Sequence, residues 1–414
     1  MSTAPFGTVS VVDCKLGNVM RVLDTFSGAG GFSLGFEMAG FEVVGALEID
    51  KWATDTFAYN HPNARVIKAD ITEFSDDHII DTFGELKPDV IIGGPPCQGY
   101  SVANSNAGDP KDPRNSLFQE FVRFGKLLTP EVMIMENVPN LLKAKTASGE
   151  MVKDIIIQAL EDIGYHVEVS VLSATDFGVP QIRRRVFFIA SKKKLAKPFP
   201  EPTHELKPDG ILDIDNGLLR TPTLWEAISD LPVLAASEGG EMQPYPSDPE
   251  TELQRLLRGK SKQLHNHKAM NHSKRMVERF ASMVSGQSGS DVAEHLRPIK
   301  RNSSEISEKV YDQNNRRMFH DRPCHTIAAS FYANFVHPFQ NRNFTAREGA
   351  RIQTFPDSYV FLGKPTVVSH KLLAREGRVE EKHLCQYSQI GNAVPPLLSK
   401  AIAVNLLKQL GVRN

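Results

Sequence analysis

An α/β fold on a doubly wound, mostly parallel sheet of Rossmann-like type, with a second and smaller domain, is what this 414-residue chain predicts. Three observations carry that prediction. From about residue 20 to 190, short apolar runs alternate with helical stretches. The run Val90 to Ile92, followed by Gly93 and Gly94, has the continuous apolar character of a central parallel strand. The first run passes through a glycine-rich loop into the first helical stretch, at the edge where open α/β sheets build their sites.

In chain order, MRVLDTF (20–26) reads as a strand, GFSLGFEMAG (31–40) as the helix after it, EVVGALEI (42–49) as a strand and WATDTFAYNH (52–61) as a helix. KADI (68–71) marks the next strand end, PDVIIGG (88–94) a further strand, LFQEFVRFGKLL (117–128) a helix with an apolar face and EVMIMENV (131–138) another strand. GEMVKDIIIQALEDIGY (149–165) gives the longest helical signal, followed by HVEVSVLSA (166–174) and RRVFFIAS (184–191) as strands. After Lys197 the chain turns proline-rich and polar, and periodicity stays poor to about 330, which sets a domain boundary near 200. Regularity returns in TAREGARIQTFP (345–356) and in PPLLSKAIAVNLLKQLG (395–411), whose prolines suit a first turn and whose Gly411 suits a C-terminal cap. A terminal helix this apolar needs a sheet to pack on. Residues 386–414 are therefore expected to complete the domain of residues 1–200, leaving 201–385 as the second domain.

A hydrophobic fraction of 41% is that of an ordinary globular protein. Cys14, Cys97, Cys324 and Cys385 are scattered without paired or metal-like spacing, so neither a disulfide framework nor a bound metal is expected. Without a signal-like start or a run judged apolar enough to span a bilayer, a cytoplasmic location is expected. The net charge of −1 conceals local basicity, as in Arg183 to Arg185 followed by Lys192 to Lys194 and Lys197 with no intervening acid, and in the run from Arg255 to Arg279, which faces only Glu252 and Glu278. Such runs are usually solvated faces and favour a polyanionic partner only weakly.

Chemistry concentrates at the strand ends. Cys97 follows Pro95 and Pro96, which fix φ and donate no N–H, so its thiol stands on a stiff support and reads as a nucleophile. The alternative is a small buried hydrophobe, which most free cysteines are. DTFSGAGGFS places Gly28, Gly30 and Gly31 where backbone can approach an adenosine-like ligand beside a helix N-terminus. A dinucleotide fingerprint would need glycine where Ser33 stands, and Phe26 and Phe32 suit aromatic contact better than a pyrophosphate, so a nicotinamide oxidoreductase is disfavoured. Glu48 lies where an acid takes both ribose hydroxyls, and Asp70 where one can take an amine. Glu136 and Asn137 end another apolar strand, beside the one carrying Cys97 in the usual order, and a carboxyl group there suits proton exchange with a ring nitrogen. In QIRRR, Arg183 and Arg185 share one face by period two and Arg184 takes the other. Two such guanidinium groups can bind an anion and lower a nearby thiol's pKa.

DTFSGAGG, GPPCQGYS, MENVPNL, QIRRR, REGARIQTFP and QIGNAVPP, in this order and spacing, resemble the DNA (cytosine-5) methyltransferases of bacterial restriction–modification type. The resemblance covers nearly all of the chain except the N-terminal extension and residues 200 to about 320. It implies an S-adenosylmethionine-dependent fold and transfer of a methyl group to carbon 5 of a flipped cytosine in double-stranded DNA, through a covalent Cys97 adduct. The product would be S-adenosylhomocysteine, with no metal. By the same resemblance, Cys97, Glu136, Arg183 and Arg185 are catalytic. Phe26, Gly28, Gly30, Gly31, Glu48, Ile49, Asp70, Ile71, Pro96, Leu117 and Asn392 hold the methyl donor. Gly99 to Ser116 matches a loop that closes over DNA, and 201–385 becomes a target-recognition domain ending in a Thr326–Ile327 element, where the family has leucine at the second position. Gln98, Ser101, Arg316, Arg317 and Thr326 are candidate DNA contacts, with His320 and Arg322 as further groove or phosphate candidates. A monomer on DNA, nucleoid-associated in a bacterial cytoplasm and served by a separate endonuclease, completes the expectation. A tRNA-directed member of the same family and a non-catalytic DNA-binding relative are the alternatives. The polar insert from Lys364 to Lys382 has no counterpart in this resemblance.

Overall fold

The computed structural model describes residues 19–96, 117–146, 148–207, 216–300, 305–306, 314–366 and 370–412. A seven-stranded sheet of β1 (Arg21–Asp24), β2 (Glu42–Glu48), β3 (Arg65–Lys68), β4 (Val90–Gly93), β5 (Val132–Asn137), β6 (His166–Ser173) and β7 (Arg184–Ser191) runs in the order 3-2-1-4-5-7-6. β1 to β5 pair in parallel, and β7 runs antiparallel to both β5 and β6. Among β1, β4 and β5, residues Val22, Leu23, Val90 to Ile92 and Val132 to Ile134 are fully buried, as strands covered on both faces require.

Helices cover both faces: α1 (Gly31–Met38), α2 (Lys51–Asn60), α3 (Asp76–Phe83), α4 (Leu117–Leu128) and α5 (Val152–Glu161) come from the first half. Phe118, Phe121 and Phe124 of α4 bury the apolar face that the sequence advertised. In the second half lie α6 (Leu224–Ile228), α7 (Glu252–Arg258), α8 (Lys274–Ala281), α9 (Ala346–Ile352), α10 (His370–Arg375), α11 (Gln386–Asn392) and α12 (Pro396–Leu410). With 5, 7 and 8 residues, α6, α7 and α8 are too short to print a helical period, which explains the irregular look of that stretch.

The chain's end returns to the sheet. α12 packs on α1 so closely that a Cβ on Gly35 would lie 2.3 Å from Ser399 Cβ, and Ser399 Oγ donates to Phe32 O at 2.6 Å. Gly411 takes the left-handed conformation at φ 71°, the cap expected of it. The packing does not divide at residue 385, however: Cys385, Tyr387 and Ile390 join the apolar cluster of Leu224, Phe344 and Phe355, while Leu398 and Ile402 join that of the sheet. One expectation is corrected by residues 386–410, which contain an 18-residue window of mean hydropathy 1.3, long and apolar enough to cross a membrane. The stretch breaks at Ala393 to Pro395 and 61% of that window is buried inside the fold, which is the pattern of a core element.

Candidate active site

The loop between β1 and α1 is shaped from both sides. A Cβ on Gly30 (φ 87°) would lie 2.4 Å from Tyr359 Oη, and one on Gly31 would lie 2.5 Å from Val394 O, so only glycine fits. Tyr359 Oη donates to Ala29 O and holds the loop from behind. Gly28 N donates to Glu48 Oε2 at 2.8 Å and Asp50 N donates to Glu48 Oε1 at 2.8 Å. Burial raises the Glu48 pKa, and these two N–H donors oppose the rise. Each carboxylate oxygen keeps lone-pair capacity for one more donor.

Two adjoining cavities open along the C-terminal ends of the strands. One, of about 350 Å³, is lined by Phe26, Glu48, Ile49, Asp70, Ile71, Pro96 and Leu117. The other, of about 480 Å³, shares Phe26, Glu48, Ile49 and Pro96 and continues past Gly28, Gly31, Glu136, Arg185, Thr326 and Asn392. Gly30 lines neither. Asp70 Oδ1 accepts from Thr72 N at 2.9 Å and Thr72 Oγ1 at 2.7 Å, which fixes its side chain at the cavity wall.

At the other end of the cleft, Arg185 Nε lies 2.8 Å from Glu136 Oε1, with the two side chains 15% and 12% exposed. β4 and β5 are hydrogen-bonded neighbours, with Gly93 opposite Met135, as the usual strand order requires. Asn137 Nδ2 donates to Pro95 O at 2.9 Å, so the end of β5 anchors the chain leading into Cys97. Cys97, Gln98, Ser101 and the rest of the Gly99–Ser116 loop lie outside the described residues.

The sequence profile of the C-5 cytosine-specific DNA methylases matches residues 20–408. The chain belongs to that family. It is accordingly a DNA (cytosine-5) methyltransferase. Among curated relatives, the type II methyltransferase M.DdeI of Desulfomicrobium norvegicum is 48% identical over 93% of this chain and 88% of its own length. M1.HphI of Haemophilus parahaemolyticus is 37% identical over 94% and 87%. Among solved structures, a DNA modification methyltransferase encoded within an E. coli prophage superposes with a TM-score of 0.70 at 25% identity, over 95% of this chain and 99% of that one. The S. pombe Dnmt2 methyltransferase shares the fold at a TM-score of 0.56 and 16% identity, over 94% and 99%.

Within this methyltransferase the paired arginines of QIRRR differ in what they do. Arg185 faces the cleft, whereas Arg183 is 1% exposed and lines neither cavity. It donates to Ile327 O, Gly391 O and Ala393 O, and so fastens three cleft-forming segments together. Burial first, and then Arg185, lowers the Arg183 pKa, against the favourable charge of Glu136. Arg184 is exposed, as the alternation predicts.

Arg317 requires a correction. As a DNA contact it would need a free guanidinium, but it is 5% exposed and donates inward to His337 O, Pro338 O, Gln340 O, Phe280 O and Asn341 Oδ1. Arg316 is half-buried and lines neither cavity, while Arg322 stacks on the Phe319 ring at 4.1 Å. Thr326 is exposed in the cleft and its hydroxyl donates to Ile182 O.

Sequence reasoning missed Ser27, Leu384 and Gln389, all cleft residues. Ser27 and Gln389 stand inside quoted motifs, yet only the fold reveals which way they face. It also missed Asp24, which is 1% exposed, accepts from Ser33 Oγ at 2.7 Å, and is pushed up to about 7 chiefly by burial. Among the described residues no cluster of three or more His, Cys, Asp or Glu is arranged to hold a metal ion.

Proposed function

We propose that this methyltransferase modifies cytosine at a short specific site in double-stranded DNA, as a monomer, in partnership with a separately acting restriction endonuclease. The type II names of M.DdeI and M1.HphI support that setting. The observation that carries the chemical reading is one continuous cleft with the Glu48 carboxylate at one end and the Glu136–Arg185 pair at the other.

The first end fits S-adenosylmethionine. Glu48 has an acceptor position left on each oxygen for a ribose diol, Asp70 stands at the wall for an adenine amine, and Phe26 and Ile49 offer apolar surface. Ser27 Oγ, buried at the cleft wall with no hydrogen-bond partner among the described residues, is free to meet a polar ligand. Gly28, Gly31, Ile71, Pro96, Leu117 and Asn392 complete the set, and Gly30 serves from behind by letting Tyr359 press on the loop. When bound, this donor supplies an electrophilic methyl group.

At the second end, Cys97 as thiolate adds to carbon 6 of the cytosine while Glu136 gives a proton to ring nitrogen 3, leaving an enamine whose carbon 5 is nucleophilic. After methylation, transfer of the carbon 5 proton to water, departure of the thiolate and return of the nitrogen 3 proton to Glu136 restore the aromatic ring and the starting enzyme. Arg185 holds Glu136 in place and offers donors to the base. Arg183 acts through the carbonyls it fastens, as a positioning residue. Because neither carbon is reachable inside a duplex, the base must be flipped out. Thr326 sits at the cleft as a DNA contact, with Gln98 and Ser101 assigned the same role by resemblance.

DNA carrying 5-fluorocytosine at the target should trap a covalent protein–DNA complex that Cys97→Ser cannot form, while calorimetry on Cys97→Ser still detects S-adenosylmethionine. Turnover on normal DNA without any adduct would remove the thiol from the mechanism. Bisulfite sequencing of DNA from expressing cells identifies the methylated sequence, and scattered methylation without a common motif would refute site specificity.

A further inference from the structure

The insert between α9 and α11 is footed directly on the cleft. Gln389 Nε2 donates to both ends of it, to Leu362 O at 3.0 Å and to Leu384 O at 2.8 Å, and Gln389 Oε1 accepts from Thr56 Oγ1 at 2.7 Å. Leu362 N donates back to Thr56 Oγ1 at 2.9 Å, so one amide and one hydroxyl close the base of the excursion against α2. A Cβ on Gly363 would lie 2.6 Å from the Trp52 ring, and His383 packs on that ring with centroids 5.2 Å apart. Leu384 and Gln389 are cleft-lining residues.

Asp50 joins this base to the ribose acid. Its Oδ2 accepts from Leu384 N at 2.8 Å and lies 3.5 Å from His383 Nδ1. Its Oδ1 accepts from Ala53 N at 3.0 Å and caps α2, and its own N–H donates to Glu48 Oε1 at 2.8 Å. A helix cap needs only one of those oxygens. The other does something capping does not explain, because it fixes the end of the insert against the residue that orients Glu48.

We infer that Asp50 is a positioning residue for methyl-donor binding, tying the foot of the insert at Leu384 to the Glu48 carboxylate. This rests on S-adenosylmethionine occupying the cleft. Asp50 touches no reacting atom; it sets the orientation of Glu48 and the place of the Leu384 wall together. The insert thereby belongs to the cofactor end of the cleft, and not to the end that takes the base.

Asp50→Ser tests it, since serine keeps a capping oxygen but cannot also reach Leu384 N. By titration calorimetry on the full chain, the S-adenosylmethionine Kd should rise about tenfold, the scale of one lost charge-assisted hydrogen bond. KM for DNA should stay within about twofold, as should kcat at saturating donor. His383→Ala, which leaves the cap untouched, should weaken donor binding in the same direction by about threefold. Unchanged donor affinity in Asp50→Ser would overturn the assignment, and so would a parallel loss of donor and DNA binding with a lowered melting temperature, the mark of a merely structural role. If the unsubstituted protein gave no binding heat with S-adenosylmethionine, the reading of the cleft itself would fail first.

Discussion

Along the sheet, stability comes from apolar strands with little charge among them: Val22, Leu23, Ile91, Ile92, Val132 and Met133 are fully buried. Between Leu224 and Phe361 the interior is held by buried charge. Arg351 reaches Asp230 Oδ1 at 2.9 Å and Asp357 Oδ2 at 2.6 Å, and Arg342 reaches Glu348 Oε1 at 2.7 Å, all at 1% exposure or less. Although burial opposes it, Arg342 holds the Glu348 carboxyl well below the usual carboxylate range. The sheet half therefore leaves its rim free for chemistry, with Glu136 and Arg185 paired at an open cleft. The other half cannot lose one charge without stranding its partner in a dry interior.

Glu136→Gln should separate the two regions most sharply. If Glu136 has the role proposed for it at nitrogen 3, the change should lower kcat by about 10²- to 10⁴-fold while the melting temperature moves by no more than a few degrees. A collapse of the melting temperature would show that the rim is part of the scaffold after all.

Arg351→Ala should do the converse. It takes the ion-pair partner from Asp230 and leaves Asp357 with Arg347, 3.7 Å away, at a cost of about 3–5 kcal/mol by urea unfolding. The fraction that stays folded should keep its activity, since Arg351 lies away from both cavities. A loss below about 1 kcal/mol would mean the network is solvated and that the contrast with the sheet half is false.

The same difference governs how far the sequence could be read. Strands such as Val90 to Gly93 and Val132 to Asn137 are apolar because both faces are covered, and α4 was legible to the residue, because burial writes itself into periodicity. Glu48, Asp70 and Glu136 could be placed at strand ends from that register, whereas Ile49, Ile71, Pro96, Leu117 and Asn392 came only with the family resemblance. Arg317 misled because an arginine in a polar stretch looks the same whether it faces phosphate or a cage of carbonyls. The network of Arg342, Arg351, Asp230 and Asp357 was invisible for the same reason. Its partners are up to 121 residues apart, and charge carries no period. Asp50 was hidden because its second bond goes to Leu384, across an insert that no local pattern places.

The comparison extends to pH, where the two regions should tilt stability in opposite directions. Asp24, beneath the glycine loop, is raised from 3.8 to about 7, chiefly by burial and against a hydrogen bond from Ser33. Between those values the folded protein keeps a proton that the unfolded chain has released, so stability falls as pH rises and levels off above 7. His267 in the second half is lowered from 6.5 to about 4, again chiefly by burial. There the unfolded chain takes up the proton first, so its contribution is lost as pH falls from 6.5 towards 4. Each slope is at most about 1.4 kcal/mol per pH unit. From pH 4 to 6.5 they oppose each other, and the unsubstituted protein should show a muted profile. Asp24→Asn keeps an acceptor for Ser33 Oγ and should gain stability relative to the parent progressively up to pH 7, whereas His267→Gln should gain on it only as the solution is acidified. Melting curves at half-unit steps from pH 4 to 8 read both. A difference between Asp24→Asn and the parent that stays constant across that range would mean Asp24 is ionised throughout, and that the sheet half tolerates a buried charge as the other half does.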